Sequence, residues 1–200
     1  MRTVFVVRHG RTALNATGRF RGREDVPLDD VGLTEVAATG ERLAGRLTDV
    51  SEPPIIHSSP LTRTRQTAEA IAHACGGEPI SDERLLDLDH GAWTGLTADE
   101  AAARDPEAYR LFREDPEHAV PPGGEPLEVV QRRMRDVLRV SVEGPAGIVV
   151  LVSHEIPIRL LCRADPADQA SMWRDPLPTG SISTVEPDGS HEGWSVTEPW

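Results

Sequence analysis

The chain has 200 residues, enough for one domain with a sizeable core and too few for two comfortable ones. Its 33 acidic and 21 basic residues leave a net charge of −12, which argues against nucleic acid or an anionic membrane as its partner. The longest apolar run covers residues 148–152, whereas a membrane-spanning helix needs about 20 apolar residues.

The first half of the chain alternates between strand-like and helix-like patterns. A short β-branched run at residues 4–7 predicts a buried strand. Apolar positions at helical spacing predict a helix over residues 34–47 that is capped by its first residue, a threonine. A second strand is predicted at residues 54–57, followed by a helix over 60–74 with Ser59 as its N-cap.

The second half continues this alternation. A helix is predicted over residues 126–142, and the continuous apolar run at 147–152 predicts a strand at the centre of the sheet. A short helix over residues 158–163 and two terminal strands, at 181–185 and 194–197, complete the pattern. Strands that alternate with helices predict an α/β fold, a three-layer α/β/α sandwich with a mainly parallel sheet.

Polar residues follow three of the predicted strands. Residues 8–10 come after the first strand, residues 58–63 after the second, and Ser153-His154 after the central one. Because parallel strands bring their carboxyl ends to one edge of the sheet, these three groups should meet at a single site.

The basic residues point to an anion as the ligand of that site. All 21 of them are arginine, and five are concentrated in residues 8–23: Arg8, Arg11, Arg19, Arg21 and Arg23. Arginine presents a planar fork of donors that matches the oxygens of a phosphate group. The two cysteines have no metal-ligand spacing and the amino terminus lacks the pattern of a signal peptide, so we expect a cytoplasmic protein.

His9 has the setting of a phosphoryl acceptor. It follows a strand, between Arg8 and a flexible glycine, and a neutral imidazole nitrogen can attack phosphorus to form a covalent intermediate. Phosphoryl transfer otherwise needs positioning and charge stabilisation. We expect cationic donors from Arg8, Arg63 and His154 and a neutral donor from Asn15.

The leaving oxygen also needs a proton, and this requires a carboxylic acid near the phosphate. Asp87 and Asp89 are the candidates, in a polar turn before Gly91. His90 lies in the same turn, and whether it lines the pocket is left open. No metal ion or other cofactor is expected, because no group of histidine, cysteine and carboxylate residues has ligand spacing.

These motifs resemble the signatures of the histidine phosphatase superfamily, in its phosphoglycerate-mutase-like branch. The similar segments occur in order along nearly the whole chain: RHGRT at 8–12 followed by Asn15, then segments at 18–37, 58–68, 85–96, 121–126, 152–161 and 177–183. The resemblance implies a single domain over residues 1–200 with the phosphoglycerate-mutase-like fold. It also implies a lid or substrate-specificity insertion at residues 95–126.

The resemblance assigns roles to individual residues. It implies His9 as the nucleophile, Arg8, Arg63 and His154 as the phosphate pocket, Asn15 as a further phosphate contact, and Arg21 with Gly22 near the non-transferred end of the substrate. Asp87 falls at the position of the proton donor.

The chain departs from the family pattern at three positions. Asp87 stands where this branch usually has a glutamate, and the shorter side chain keeps Asp89 open as an alternative donor. Thr94 replaces a frequent glutamate. Glu155 stands where many relatives have glycine, and it either turns outward or restricts which substrates bind.

Three functions fit these features. A phosphatase lets water attack the phosphohistidine, a mutase returns the phosphoryl group to a second hydroxyl, and a binding protein keeps the pocket without the chemistry. The stretch between Gly95 and Pro121 is short and lacks the arginine-bearing segment of phosphoglycerate mutases. We therefore expect a phosphatase that acts on a small phosphorylated metabolite, with the substrate and the oligomeric state left open.

Overall fold

A six-stranded sheet forms the centre of the molecule. The structure is a computed structural model that describes residues 2–48, 50–116, 118–145, 147–162, 172–173, 177–186 and 195–197. The strands are β1 (Arg2–Arg8), β2 (Ile55–Ser58), β3 (Pro79–Ser81), β4 (Gly147–Ser153), β5 (Ile182–Glu186) and β6 (Ser195–Thr197), and they lie in the order β3-β2-β4-β1-β5-β6.

The sheet is mainly parallel, as the sequence predicts. β4 pairs in parallel with both β1 and β2, and β3 pairs in parallel with β2. β5 and β6 form the antiparallel end of the sheet, because β5 runs antiparallel to β1 and β6 antiparallel to β5. The apolar strand β4 occupies an inner position, as expected of a strand buried on both faces.

Seven helices are present in the described part of the chain: α1 (Ala13–Ala16), α2 (Asp30–Arg46), α3 (Thr62–Cys75), α4 (Ala98–Arg104), α5 (Pro106–Glu114), α6 (Leu127–Glu143) and α7 (Glu155–Cys162). Two short 3₁₀ helices cover Glu83–Leu85 and Gly91–Trp93. None of the helices in these ranges has the length and apolar character that a membrane crossing demands.

Alternate side chains of β1 face two separate cores. Val4 and Val6 pack in one cluster with residues of α6 and α7, whereas Phe5 and Val7 pack in another with residues of α2 and α3. This two-residue period is the geometry of an extended strand. Helices therefore cover both faces of the sheet and produce the α/β/α layers.

Three predicted helix starts are wrong, and the first of them is that of α7, which begins at Glu155 and not at residue 158. α2 begins at Asp30, because the Asp29 side chain accepts a hydrogen bond from the backbone N–H of Gly32 at 2.8 Å and caps the helix there. α3 begins at Thr62, with Leu61 at the N-cap position and no side-chain cap. The last residue of the helix predicted over 158–163 and the first residue of the strand predicted over 194–197 lie outside the described residues.

The fold brings the predicted polar groups to one edge of the sheet. Arg8, Ser58 and Ser153 are the last residues of three adjacent strands. The chain stays hydrogen-bonded beyond them, since the backbone N–H of His9 donates to the carbonyl of Ser153 at 3.1 Å. His9 and His154 consequently lie side by side, with ring centroids 5.2 Å apart.

Candidate active site

His9 is held with one ring nitrogen engaged and the other available. Its Nδ1 lies 2.6 Å from the backbone carbonyl oxygen of Gly10, which can only accept, so Nδ1 carries the proton. Its Nε2 is buried and has no hydrogen-bond partner among the described residues. This tautomer leaves the lone pair of Nε2 free for attack on phosphorus.

Burial keeps this imidazole neutral. Desolvation lowers the pKa of His9 well below its ordinary value, and the nearby charges of Arg63, Arg21 and Arg8 lower it further. The ring itself is fully buried. A neutral ring is the form a nucleophile requires, so the electrostatics and the hydrogen-bonded tautomer favour the same chemistry.

Arg63 connects the elements of the site from the second position of α3. Its Nη1 donates to the carbonyl of Glu24 at 2.8 Å and its Nη2 to the carbonyl of Gly22 at 2.7 Å. Nη2 also lies 3.2 Å from Oδ2 of Asp87, and Nε donates to Nδ1 of His154 at 3.2 Å. Because the side chain is fully buried, these bonds fix the guanidinium plane within the site.

The surroundings of His154 favour its neutral form when no ligand is bound. Its Nδ1 accepts from Arg63, so the ring proton is on Nε2, 2.9 Å from Oγ of Ser59. Burial lowers the pKa of His154 well below its ordinary value, and the charge of Arg63 lowers it further. A dianionic phosphate beside the ring would act in the opposite direction.

Arg8 and Glu155 form an ion pair at the edge of the site. Nη2 of Arg8 lies 2.8 Å from Oε2 of Glu155, and Oε1 of the same carboxylate accepts from Nε of Arg159 at 3.1 Å. Nη1 of Arg8 donates to the carbonyl of Leu177. Burial lowers the pKa of Arg8 to about 10, an effect that the charge of Glu155 partly offsets, so the guanidinium stays charged at neutral pH. Glu155 therefore does not turn outward, the first of the two possibilities given for it, but lines the cavity.

The two candidate proton donors have different surroundings. Asp87 is buried, with Oδ1 accepting from the backbone N–H of Leu88 at 2.9 Å and Oδ2 facing Arg63 and His154 at 3.2 and 3.7 Å. Asp89 is half-buried, and its Oδ1 accepts from the backbone N–H of Gly91 at 2.9 Å. Asp87 is thus placed among the phosphate-site residues, whereas Asp89 organises the turn.

Asn15 and Gly22 act through their local geometry. Oδ1 of Asn15 accepts from the backbone N–H and the hydroxyl of Thr12, which leaves the amide NH₂ as its donor toward an anion. Gly22 has φ = 52°, and a Cβ there would lie 3.2 Å from the carbonyl oxygen of Leu88. Gly22 therefore packs against the Asp87 loop and accepts a hydrogen bond from Arg63 through its carbonyl.

A cavity of about 310 Å³ opens in front of these residues. Arg8, Asn15, Arg21, Asp87 and Glu155 are among the residues that line it. Nε of Arg21 is buried without a hydrogen-bond partner among the described residues, as is Nε of Arg8. Unused donors at the end of a cavity that is rich in arginine suit an anionic ligand.

Rings line the rest of the cavity, and the sequence reasoning missed most of them. These residues are Phe20, His90, Tyr109, Phe112 and Trp173. Of this set, only His90 was considered as a pocket residue, and the structure places it there. Tyr109 and Phe112 belong to α5, inside the segment interpreted as a lid or specificity insertion. An amphipathic pattern in α5 was the available signal, but it does not tell a buried core face from a cavity wall.

The comparison with protein families identifies the class of protein. The model of the histidine phosphatase superfamily (branch 1) matches residues 4–198, and the chain belongs to this superfamily.

Within the described residues, no three histidine, cysteine or carboxylate side chains are grouped so that they could hold a metal ion.

Named relatives include both phosphatases and a mutase. Phosphoserine phosphatase 1 of Hydrogenobacter thermophilus is 32% identical over 184 residues, covering 91% of this chain and 85% of that protein. A probable phosphoglycerate mutase, GpmB of Yersinia pestis, is 34% identical over 164 residues, covering 80% and 73%. The chain spans about half the length of curated mycobacterial relatives that it matches at 38% identity.

The fold agrees with that of a solved relative. The structure of a mycobacterial glucosyl-3-phosphoglycerate phosphatase with VO3 superposes with a TM-score of 0.83 at 28% identity, covering 98% of this chain and 97% of that one. The named relatives are thus two phosphatases and a probable mutase.

Proposed function

We propose that the chain is a phosphatase that hydrolyses a small phosphorylated metabolite through a phosphohistidine on His9. The observation that carries this proposal is the state of the His9 ring. Nδ1 donates to the Gly10 carbonyl, and Nε2 has no hydrogen-bond partner among the described residues. The lowered pKa of the ring favours its neutral form. A structural histidine would be expected to use both nitrogens when fully buried.

In the first step Nε2 of His9 attacks phosphorus, and the bond from phosphorus to the ester oxygen breaks. The electron pair of that bond leaves on the ester oxygen, which takes a proton from the carboxyl group of Asp87. Arg8 and Arg63 stabilise the negative charge on the equatorial oxygens. Asp87 is preferred to Asp89 as the donor because it lines the cavity and lies 3.7 Å from His154.

In the second step water attacks the phosphohistidine, and the bond from phosphorus to Nε2 breaks. The carboxylate of Asp87 accepts the proton of this water, and orthophosphate leaves. A mutase would place a second substrate hydroxyl where water stands. The short stretch between Gly95 and Pro121 supports hydrolysis, because it lacks the additional segment expected to close a mutase site.

Phosphate binding requires a side-chain movement in this scheme. His9, Arg63 and His154 are fully buried and do not line the cavity, whereas Arg8, Arg21 and Asp87 do. The phosphoryl group would therefore enter by parting these lining side chains. Both lining arginines have an unused buried Nε donor that an arriving phosphate oxygen would satisfy.

The test is to trap the intermediate on His9. Wild-type protein mixed briefly with a labelled aryl phosphate and quenched without acid should carry phosphate that is acid-labile and stable to base. His9→Ala should carry none and should lose turnover with its fold intact, whereas the control His73→Ala, at an exposed position of α3, should retain both. Substantial turnover by His9→Ala would refute the covalent mechanism. Interconversion of phosphoglycerates, measured alongside hydrolysis, distinguishes a mutase.

A further inference from the structure

Two kinds of side chain line the cavity. One kind is charged or carries an amide, and the other consists of the five ring-bearing residues Phe20, His90, Tyr109, Phe112 and Trp173, here called the aromatic wall. Rings together with a few polar groups are typical of sites that hold a small molecule in one orientation.

The rings of the aromatic wall support one another. Phe20 lies 4.6 Å from His90 and Phe112 lies 4.9 Å from Trp173, measured between ring centroids. Phe20 and Phe112 join the two pairs at 6.2 Å in an edge-to-face contact. Aromatic pairs at these separations attract one another beyond the burial of their area, so the wall is a packed surface.

Two nitrogens of the aromatic wall have no hydrogen-bond partner within the described ranges. They are Nδ1 of His90 and Nε1 of Trp173, and both are buried. Leaving such a group unsatisfied is unfavourable, and a ligand that supplies a partner recovers part of that cost. The indole N–H only donates, so its partner must be an acceptor such as a hydroxyl or carbonyl oxygen.

The basic side chains beside the aromatic wall are already engaged. Nη1 of Arg19 donates to Oε2 of Glu100 at 2.8 Å and to the carbonyl of Gly95 at 2.7 Å. The guanidinium of Arg113 lies over the indole of Trp173, 4.7 Å from its centroid. The charge of Arg19 is thus offset by Glu100, and Arg113 covers one face of the indole, so the aromatic wall offers ring contacts and a hydrogen-bond donor for a neutral oxygen.

We propose that the aromatic wall binds a cyclic, hydroxylated group, so that the substrate is a ring-bearing phosphate monoester and not a short acyclic phospho-acid. This rests on the proposed phosphatase function. The carbon faces of the ring lie against the aromatic wall, and a ring hydroxyl or carbonyl oxygen accepts from Nε1 of Trp173. A sugar phosphate and a nucleoside monophosphate share this chemistry.

The experiment compares kcat/KM among alkyl phosphates with similar leaving groups. Glucose 6-phosphate and uridine 5′-monophosphate carry rings with acceptors, whereas phosphoserine and 3-phosphoglycerate are acyclic. At least one cyclic substrate should exceed both acyclic ones by about tenfold or more, the scale of one or two good pocket contacts. Whether the sugar phosphate or the nucleotide has the higher value tells which cyclic class the wall accepts.

Substitutions separate the hydrogen bond from the ring contact. Trp173→Phe keeps an aromatic face and removes the N–H, so kcat/KM for the preferred cyclic substrate should fall about threefold to tenfold, mainly through KM. Phenyl phosphate offers a ring without an acceptor, and for it the change should stay below about twofold. Phe20→Leu removes a ring face and should lower kcat/KM for both compounds by about threefold or more.

Equal kcat/KM for cyclic and acyclic substrates would overturn the inference. The inference would also be overturned if Trp173→Phe lowered kcat/KM equally for all substrates while the melting temperature stayed unchanged. Trapping of the phosphohistidine with phenyl phosphate distinguishes failure of the substrate inference from failure of the proposed phosphatase function. If phosphate is trapped but no cyclic preference is seen, the substrate inference alone fails; if none is trapped, the phosphatase mechanism fails.

Discussion

The role of Asp87 as proton donor can be tested through the leaving group. Alkyl phosphates leave as strongly basic alkoxides, which depend on a proton in the transition state, whereas para-nitrophenolate leaves as a much weaker base. Asp87→Asn removes the transferable proton but keeps an oxygen that can accept from the Leu88 N–H, as Asp87 does at 2.9 Å. The substitution therefore changes proton transfer with little change in shape.

The expected magnitude follows from general acid catalysis and from the contacts of the carboxyl group. General acids typically contribute about 10²–10⁴-fold, or roughly 3–5 kcal/mol of transition-state stabilisation. Asp87→Asn should therefore lower kcat/KM for an alkyl phosphate by about a hundredfold or more, and for para-nitrophenyl phosphate by less than about tenfold. Because Asp87 is also the buried partner of Arg63 at 3.2 Å, the melting temperature must be measured in parallel.

Asp89→Asn is the matched control. Its amide oxygen can still accept from the Gly91 N–H, as Asp89 does at 2.9 Å, so the turn keeps its hydrogen bond. No dependence on the leaving group should appear in this variant. If Asp89→Asn shows the selective loss and Asp87→Asn does not, the donor assignment is wrong. If neither does, the acid lies elsewhere in the chain.

Three further outcomes are expected. Arg63→Ala should lower kcat/KM at least about tenfold more than Arg65→Ala, because Arg63 is buried in the site and Arg65 is exposed; equal losses would contradict the placement of α3. Burial lowers the pKa of His90 to about 4. Between pH 6.5 and about 4 the unfolded chain therefore binds one more proton than the folded protein, so the free energy of unfolding decreases as the pH is lowered through that window. His90→Phe should reduce this decrease by up to about 3 kcal/mol, measured by denaturant unfolding at pH 7 and at pH 4. An unchanged pH dependence would contradict the assignment of this effect to His90. Activity should survive exhaustive treatment with EDTA, because arginines supply the cations of the proposed site; loss of activity that a divalent ion restores would show otherwise.

The sequence predicts the parts of this molecule that depend on local pattern. The β-branched run of β1 and the apolar run of β4 become neighbouring parallel strands, and this places the residues that follow them side by side. Helical spacing likewise separates Arg63 from Arg65, since positions two apart on a helix face different directions. The resemblance to the superfamily is confirmed by the family match across residues 4–198.

Tertiary contacts decide what the sequence does not predict. The start of α2 depends on Asp29, whose side chain caps the helix ahead of the predicted cap, Thr34. The aromatic wall combines Phe20 and His90 from loops with rings of α5, and no short-range pattern joins segments so far apart in sequence. The tautomers of the histidines depend on neighbours such as the Gly10 carbonyl and Ser59, which only the fold supplies.

Glu155 departs from the family pattern, and only the structure shows which way its side chain is oriented. The sequence places a carboxylate next to His154, where the resemblance implies glycine in many relatives, and the two possibilities were that it turns outward or that it restricts which substrates bind. The structure directs it inward, 2.8 Å from Arg8, with Arg159 supporting it one helical turn later at 3.1 Å. Because the carboxylate stays about one-third exposed, solvent weakens the pair, and a phosphate dianion would compete with it for the same guanidinium. In the proposed mechanism, the affinity of the site for phosphate is therefore set by how Arg8 divides its donors between substrate and Glu155.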